Sequence, residues 1–398
     1  MGGLVHKYGG TSVATPDKMR KVAKRIIEAK EKGYDMVVVV SAMGKTTDHL
    51  VELANQVSHH PNTRELDLLL STGEQVSIAL LTMALQEEGY EAISLTGFQA
   101  GIQTEGPHTK TKIVDIEIDK VKTYLAEGKI VIVAGFQGVN KRGEITTLGR
   151  GGSDTTAVAL AAKLACPCHI YTDVEGIYSV DPRLYPPAKK LAVISYEEMM
   201  EMASLGAGVM EPRSILIGQK YNVPIYVASS MNQAKGTYIK EYDETMEEKV
   251  VTGLSVCDDI VMVTISQIPD VSENIALIFE KLAHRQVNVD MISQAASFEG
   301  LVNVSFTAKM EDLFVIKEVM AELNPDYHID LESEITKLSV VGMGMRNQSG
   351  VSGLLFRILS DHQIPFRQVT TSEISISYAI NRRDKEKAVR ILSQELNL

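Results

Sequence analysis

What this 398-residue sequence has little of narrows its reading first. It has no long Lys/Arg run and a formal net charge of −11, which sets nucleic acid aside as its main partner. No apolar run approaches the ~20 residues of a membrane span. Gly2-Gly3-Leu4 leads into a strand pattern rather than a signal peptide, and His6 stands where a myristoylation site wants Ser or Thr. The chain carries three cysteines, an odd number that suits a reducing cytosol. Cys166-Pro167-Cys168 has no second pair to complete a zinc site, so these residues read as packing at a strand start. The expectation is a cytoplasmic protein with no membrane and no nucleic acid among its partners.

A further absence concerns Val37–Thr47, VVVVSAMGKTT. A hydrophobic strand running into Gly44-Lys45-Thr46 ends as a P-loop ends, but the first glycine of G-x-x-x-x-G-K-[ST] is missing, and Val39 stands there. A nucleotide bound near this stretch must be held by another construction.

What is present is ordinary globular composition, 44% hydrophobic and 23% charged, in a chain long enough for two or three domains. The first 230 or so residues alternate strand and helix patterns. Val5–Tyr8 reads as a short strand, and a helix follows with Thr15 as N-cap, Pro16 in its first position and Gly33 past its end. Met36–Val40 is apolar throughout, the mark of a strand buried on both faces. Helices are expected near Gly73–Glu87, Ile116–Ala126, Ser153–Leu164 and Glu197–Leu205. Strands are expected at Ala92–Leu95, Ile130–Ala134, His169–Thr172 and Ile225–Val227. Such alternation predicts an α/β fold with a mainly parallel sheet sandwiched by helices. Gln233–Lys249, polar and charge-dense, reads as a linker or edge hairpin before a domain boundary.

Beyond it lies an internal repeat. Val263, Phe279, Leu282 and Val289 are echoed by Val340, Phe356, Leu359 and Phe366 at a constant offset of 77 residues. Each copy reads as a β-α-β-β-α unit, whose sheet has one face or edge in need of a partner. The two copies are expected to pack on each other or across a dimer.

The residues with chemistry gather at the ends of the expected strands, where open α/β sheets collect ligands. They are Lys7-Tyr8-Gly9-Gly10-Thr11-Ser12, Ser41 to Gly44, Thr147 to Asp154 and Thr172-Asp173. Glycines let backbone amides approach an anion and a helix start adds its positive dipole end. Lys7 and Arg150 offer fixed cations for a phosphoryl group, and Asp173 and Asp181 could meet Mg²⁺ or ribose.

KYGGTSV, VVVVSAMGKTTD, RELDLLLSTGEQVS, TTLGRGGSDTTAVALAA and IYTDVEGIYSVDPR together resemble the aspartate kinases of the amino-acid kinase superfamily. The resemblance runs to the C-terminus, where the repeat matches that family's tandem ACT domains. It implies a kinase domain over 1–245 and ferredoxin-like ACT domains over 250–330 and 331–398. It also implies transfer of a phosphoryl group from ATP, with Mg²⁺, to the β-carboxylate of L-aspartate. By the same resemblance Lys7, Asp173 and Arg150 are catalytic, Asp173 organising the phosphate-side lysine and metal. Lys7, Tyr8, Gly9, Gly10, Ser41, Thr172, Asp173, Tyr178, Asp181, Pro182 and Arg183 fall at nucleotide positions. Thr47, Glu74, Arg150, Gly151, Gly152 and Ser153 match the aspartate site, with Glu74 on the α-ammonium. Asp270, Ile275, Asn288, Val289, Asp290 and Gln294 match an effector site for lysine or threonine, and the ACT pair implies a homodimer or higher oligomer.

The sequence departs from the family pattern in places. Gly208 stands where a lysine is usual and Glu211 where a histidine is; Tyr226 and Ala228 replace arginines, and Ser272-Glu273 replaces Pro-Gly. Those departures support a second reading, a weakly active or non-catalytic amino-acid sensor acting as a regulatory partner. A glutamate 5-kinase is disfavoured by the tandem tail and the TTLGRGGSDTTA loop.

Overall fold

Two runs of buried apolar residues, Val37 to Val40 and Ile130 to Ala134, set the centre of the first of two compact units. The computed structural model describes residues 2–241, 250–346 and 348–398. The first unit comprises Met1–Ile177, Lys190–Ala203 and Gly208–Tyr242, and the second Tyr178–Lys189, Ser204–Ala207 and Asp243–Leu398. The expected boundary at 245–250 falls mostly on 242–249, outside the described residues. Two short segments before it, Tyr178–Lys189 and Ser204–Ala207, count with the second unit rather than with the kinase span.

The strands of the first unit are β1 (Gly3–Tyr8), β2 (Asp35–Val40), β3 (Ala92–Leu95), β4 (Ile102–Glu105), β5 (Lys112–Ile116), β6 (Ile130–Ala134), β7 (Gln137–Val139), β8 (Ile145–Thr147), β9 (Cys168–Thr172), β10 (Val193–Ser195), β11 (Ile225–Ser229) and β12 (Thr237–Lys240). Its helices are α1 (Pro16–Glu31), α2 (Thr46–Val57), α3 (Thr63–Glu87), α4 (Asp119–Ala126), α5 (Gly152–Leu164), α6 (Tyr196–Ser204) and α7 (Pro212–Tyr221). Eight strands form one sheet in the order β10-β12-β11-β9-β1-β2-β6-β3. Its pairings among the described residues are parallel except that of β11 with β12. Four others form a small second sheet, β5-β4-β7-β8.

The strand period of two sorts the residues between faces. Leu4 and Tyr8 of β1 join Met36, Val38 and Val40 of β2 in a core with α1 and α3. The intervening residues, Lys7 among them, face α5, which packs on β1, β2 and β9. Tyr8, Val40, Ala134 and Tyr171 are register partners across four adjacent parallel strands, so the loops after them leave the sheet at one end.

Several local expectations need correction. The helix expected from Ile116 starts at Asp119, because Lys112–Ile116 pairs with β4 as a strand. α3 begins ten residues before Gly73, where the Asn62 side chain accepts from the Arg64 and Glu65 amides and caps it. α3 is long and apolar enough to cross a membrane, which the sequence reading did not foresee, but Leu70, Ile78, Leu81 and Leu85 bury it in the core. Within Gln233–Lys249, Thr237–Lys240 is no edge hairpin; it lies inside the main sheet between β10 and β11.

The second unit contains β13 (Gly253–Cys257), β14 (Ile260–Pro269), α8 (Ser272–His284), β15 (Val289–Gln294), β16 (Leu301–Lys309), α9 (Leu313–Ala321), β17 (His328–Glu332), β18 (Ile335–Val341), α10 (Val351–Asp361), β19 (Phe366–Thr371), β20 (Ser375–Asn381) and α11 (Lys385–Glu395). Both repeats build antiparallel four-stranded sheets in the same order, β15-β16-β14-β17 and β19-β20-β18-β13. The first closes with its own β17; the second is closed by β13, which precedes the first repeat. Leu331 pairs with Val263 and Leu254 pairs with Val340, so both strand partners keep the 77-residue offset. The first repeat is therefore inserted into the second, and Gly253–Cys257 does not belong with the 250–330 module to which the sequence reading assigned it.

Candidate functional site

A cavity of about 210 Å³ opens at the carboxyl ends of β1 and β2, lined by Lys7, Ser41, Thr47, Glu74, Phe136 and the run Gly149–Asp154. Close backbone packing joins the turns that follow β1 and β2. The Gly44 amide donates to Gly10 O at 3.0 Å, and a side chain at Gly10 would come within 2.7 Å of Ala42 O. Gly44-Lys45-Thr46 thus packs against Gly9-Gly10 and starts α2, which accounts for a P-loop ending without a P-loop. The opposite wall is the start of α5. Gly151 turns the chain into it at φ +64°, and a Cβ there would lie 2.4 Å from the Glu211 Cβ. A 13-residue helix that begins with Gly152 and Ser153 against the cavity presents its positive end there.

Lys7 is 8% exposed, and its ammonium meets Asp154 Oδ1 at 2.5 Å. Asp154 lay within the quoted loop motif and received no role in the sequence reading; its place in the first turn of α5, facing β1, is what the strand period and helix start together produce. Asp173, the acidic partner that the resemblance implied for this lysine, stands exposed at the end of β9, where it accepts from the Thr172 hydroxyl at 3.1 Å.

Glu74 comes from the middle of α3 and is 3% exposed. Its Oε1 accepts from the Ala42 amide at 3.0 Å, while Oε2 is buried and makes no hydrogen bond among the described residues. Burial pushes its carboxyl up to about 7 against the pull of the Ala42 amide. A half-satisfied carboxylate in a cavity is matched by an ammonium group. The guanidinium end of the same cavity is Arg150, exposed at the tip of its turn. Arg213 supports that turn from below, donating to Leu148 O at 2.8 Å and Thr111 O at 3.0 Å. The sequence reading assigned it nothing.

The structure brings together Lys7, Ser41, Thr47, Glu74 and Arg150–Ser153 in this one cavity. Tyr8 is buried in the core on the far face of the sheet, through the backbone alternation. Tyr178, Asp181, Pro182 and Arg183 belong to the second unit. There the Arg183 side chain grips Asp181 at 2.7 Å, holding its carboxyl below the usual range. Tyr226 lies in register with His169 and His6, hence on the face away from Lys7, and Ala228 packs in that face's core. A larger cavity of about 340 Å³ on that face is lined by His6, Arg25, His169, Tyr171 and Tyr226 but by none of the glycine-rich turns.

Among the described residues no group of three or more His, Cys, Asp or Glu side chains could hold a metal ion.

In the second unit, Asp270 and Ser272-Glu273 lie at the exposed start of α8, and Ile275 packs partly into the first repeat's core. Val289, Asp290 and Gln294 lie on β15, the edge of the first repeat's sheet, and Asn288 immediately precedes it. Asp290 is paired with Lys337 of β18 at 2.5 Å.

Comparison with known proteins gives three kinds of match. The amino acid kinase family model matches residues 3–229 and an ACT domain model residues 338–396. The aspartokinase of Geobacillus stearothermophilus is 49% identical over 400 residues, covering 100% of this chain and 98% of that protein. Aspartokinase III of E. coli in complex with aspartate and ADP matches over 100% of both chains at 25% identity and a TM-score of 0.83. The lysine- and aspartate-bound form of that enzyme matches over 99% of both at 25% identity and 0.79.

Proposed function

The chain belongs to the amino acid kinase family as an aspartokinase, and from that premise we propose that the cavity between Lys7, Glu74 and the start of α5 is where aspartate meets the γ-phosphate of ATP. The reaction makes a bond from a β-carboxylate oxygen to the γ-phosphorus and breaks the bond to the β–γ bridging oxygen, releasing ADP. A carboxylate of pKa about 4 is already ionised at neutral pH, so no general base is required. The barrier is the approach of two anions, which fixed cations and dipoles lower.

In this reading Glu74 Oε2 takes the α-ammonium and Arg150 the α-carboxylate, which turns the β-carboxylate toward Lys7 and the amides of Gly152 and Ser153. Lys7 bears on the transferring phosphoryl group, with Asp154 fixing its ammonium. By the resemblance Gly9 and Gly10 lie beside the phosphates after β1, with Gly10 held close against Ala42 O. Mg²⁺ bound to the nucleotide would add charge neutralisation at the β- and γ-oxygens. The resemblance assigns Ser41, Thr172, Asp173, Tyr178, Asp181, Pro182 and Arg183 to the nucleotide.

The observation that carries the reading is the buried, half-satisfied Glu74 facing the same small cavity as a buried lysine and a helix start. The lysine-bound relative supports lysine, and the resemblance also threonine, as an effector at Asp270, Ile275, Asn288, Val289, Asp290 and Gln294. A homodimer or higher oligomer through the two repeats, and a cytoplasmic location in keeping with three free cysteines, complete the proposal. Hydroxamate trapping of the acyl phosphate, with aspartate and glutamate compared, tests it. ATP binding without turnover would instead support the sensor reading.

A further inference from the structure

We infer that Asp67 is a positioning residue for the acceptor end of the cleft, acting through Thr109 and Thr147 on the turn that carries Arg150. It rests on the reading of Arg150 given above. Asp67 and Glu74 lie seven residues apart on α3, two turns or about 10 Å along one buried face. One rigid helix thus carries the group facing the cavity and, a step away, a fully buried second carboxylate.

The Asp67 carboxylate is saturated by the two loops above it. The Thr147 hydroxyl donates to Oδ1 at 2.5 Å, the Thr109 amide lies 3.1 Å from both oxygens, and His108 Nδ1 lies 2.6 Å from Oδ2. The loops are also tied to each other, since the Thr111 amide and hydroxyl both donate to Thr147 O, at 3.1 and 2.8 Å. Thr147 stands three residues before Arg150, and a Cβ on the intervening Gly149 would sit 3.1 Å from Thr109 O.

Thr109 has φ +69°, a conformation that a β-branched residue resists. Such strain persists where the surroundings over-determine the backbone, and the two Asp67 oxygens on its amide are that constraint. A carboxylate placed only to fill a core would need none of this. Because the Arg150 side chain is exposed, its aim follows from the backbone of the turn, and that backbone is anchored through Thr147 on Asp67.

Asp67→Asn in the full chain keeps the shape and removes the charge that draws in these donors. We expect KM for aspartate to rise roughly tenfold or more, the scale of one lost charge-assisted hydrogen bond. KM for ATP should stay within about twofold. Thr147→Val, which removes a single hydrogen bond, should shift KM for aspartate in the same direction by less, and carries the comparison if Asp67→Asn does not fold. In an Arg150→Ala background, Asp67→Asn should add less than about twofold, since the two act through one path. Unchanged KM for aspartate in folded Asp67→Asn, a parallel rise in KM for ATP, or independent effects in the double variant would overturn the inference. An Arg150→Ala enzyme with unchanged KM for aspartate would overturn the reading of Arg150, and this one with it.

Discussion

Glu74 makes a prediction whose size follows from its surroundings. In the unliganded cavity its carboxyl is held at about 7. An ammonium group at Oε2 favours the ionised form, so aspartate binding must expel a proton whenever the pH is below that value. At pH 5.5 the deprotonation costs about 1.5 pH units, or about 2 kcal/mol, which is about thirtyfold in affinity. KM for aspartate should therefore fall about tenfold per unit as pH rises from about 5.5 toward 7, then level off. The β-carboxylate of aspartate stays ionised throughout and its ammonium stays protonated, so neither contributes in that window. Nucleotide phosphates can titrate there, and Glu74→Gln separates the two causes. Its KM for aspartate should be high and nearly flat with pH, whereas a nucleotide effect would survive the substitution.

The same shift acts on stability. The folded-state value lies above the unfolded one, so between 4.5 and about 7 the folded chain binds more protons. Unliganded stability therefore falls as pH rises through that window, by up to about 3 kcal/mol at this site. Relative to Glu74→Gln, the wild-type Tm should drop across the window, and aspartate should restore it most at the upper end. A wild-type KM for aspartate that stays level between about pH 5.5 and 8 would refute the reasoning, as would a slope that persists unchanged in Glu74→Gln.

Lys7→Ala should lower kcat by ~10³ or more, the scale of losing a charged transition-state contact, and a loss expressed only in KM for ATP would remove Lys7 from the transition state. A Cβ at Gly208 would meet nothing within 4 Å. Gly208→Lys should therefore be accommodated and lower KM for ATP by the equivalent of about 1.5–3 kcal/mol if a phosphate contact is restored; no change would show that another cation already serves. At the start of α8 an exposed Glu273 places negative charge where an effector carboxylate would approach. Glu273→Gly should increase inhibition by lysine or threonine, and strong submillimolar inhibition of the unaltered enzyme would show that Glu273 points elsewhere.

Much of the first unit was legible because its signals are local. Unbroken apolar runs at Val37–Val40 and Ile130–Ala134 could only be strands buried on both faces. Thr15, Pro16 and Gly33 punctuate α1 where they were expected to, the Thr15 hydroxyl accepting from the Lys18 amide. The glycine-rich turns and Glu74 were visible as motif, and parallel pairing in register explains why they meet at one end of the sheet. The roles of Asp154, Asp67 and Arg213 were not legible, since each depends on a partner far along the chain, and Asp67 and Arg213 lie outside the helices that the sequence pattern marks. Tyr178 to Arg183 shows the converse, a contiguous motif whose chain segment is claimed by a different unit.

The repeat shows most plainly where local reading stops. Its offset of 77 residues fixed which positions are equivalent, and those positions do fall on matching elements, Val263 on β14 with Val340 on β18 and Leu282 on α8 with Leu359 on α10. Yet a β-α-β-β-α unit leaves one strand of its sheet unspecified, and two copies in tandem can supply it in more than one way. The first copy takes the strand that follows it. The second takes Gly253–Cys257 from before the first. The buried alternation of Leu254 against Leu338 and Val340 makes that strand fit, and the Leu254–Val340 pairing repeats the Leu331–Val263 pairing. The second copy cannot then be excised as a continuous segment, whereas the first, residues 260–332, carries all four strands of its sheet. A cut between 332 and 335 separates the second sheet from its fourth strand, and with it Ile335–Val341 loses the neighbour that covers one edge. Because Asp290 of the inserted repeat pairs with Lys337 on that same β18, a change on β15 bears directly on an inner strand of the module around it.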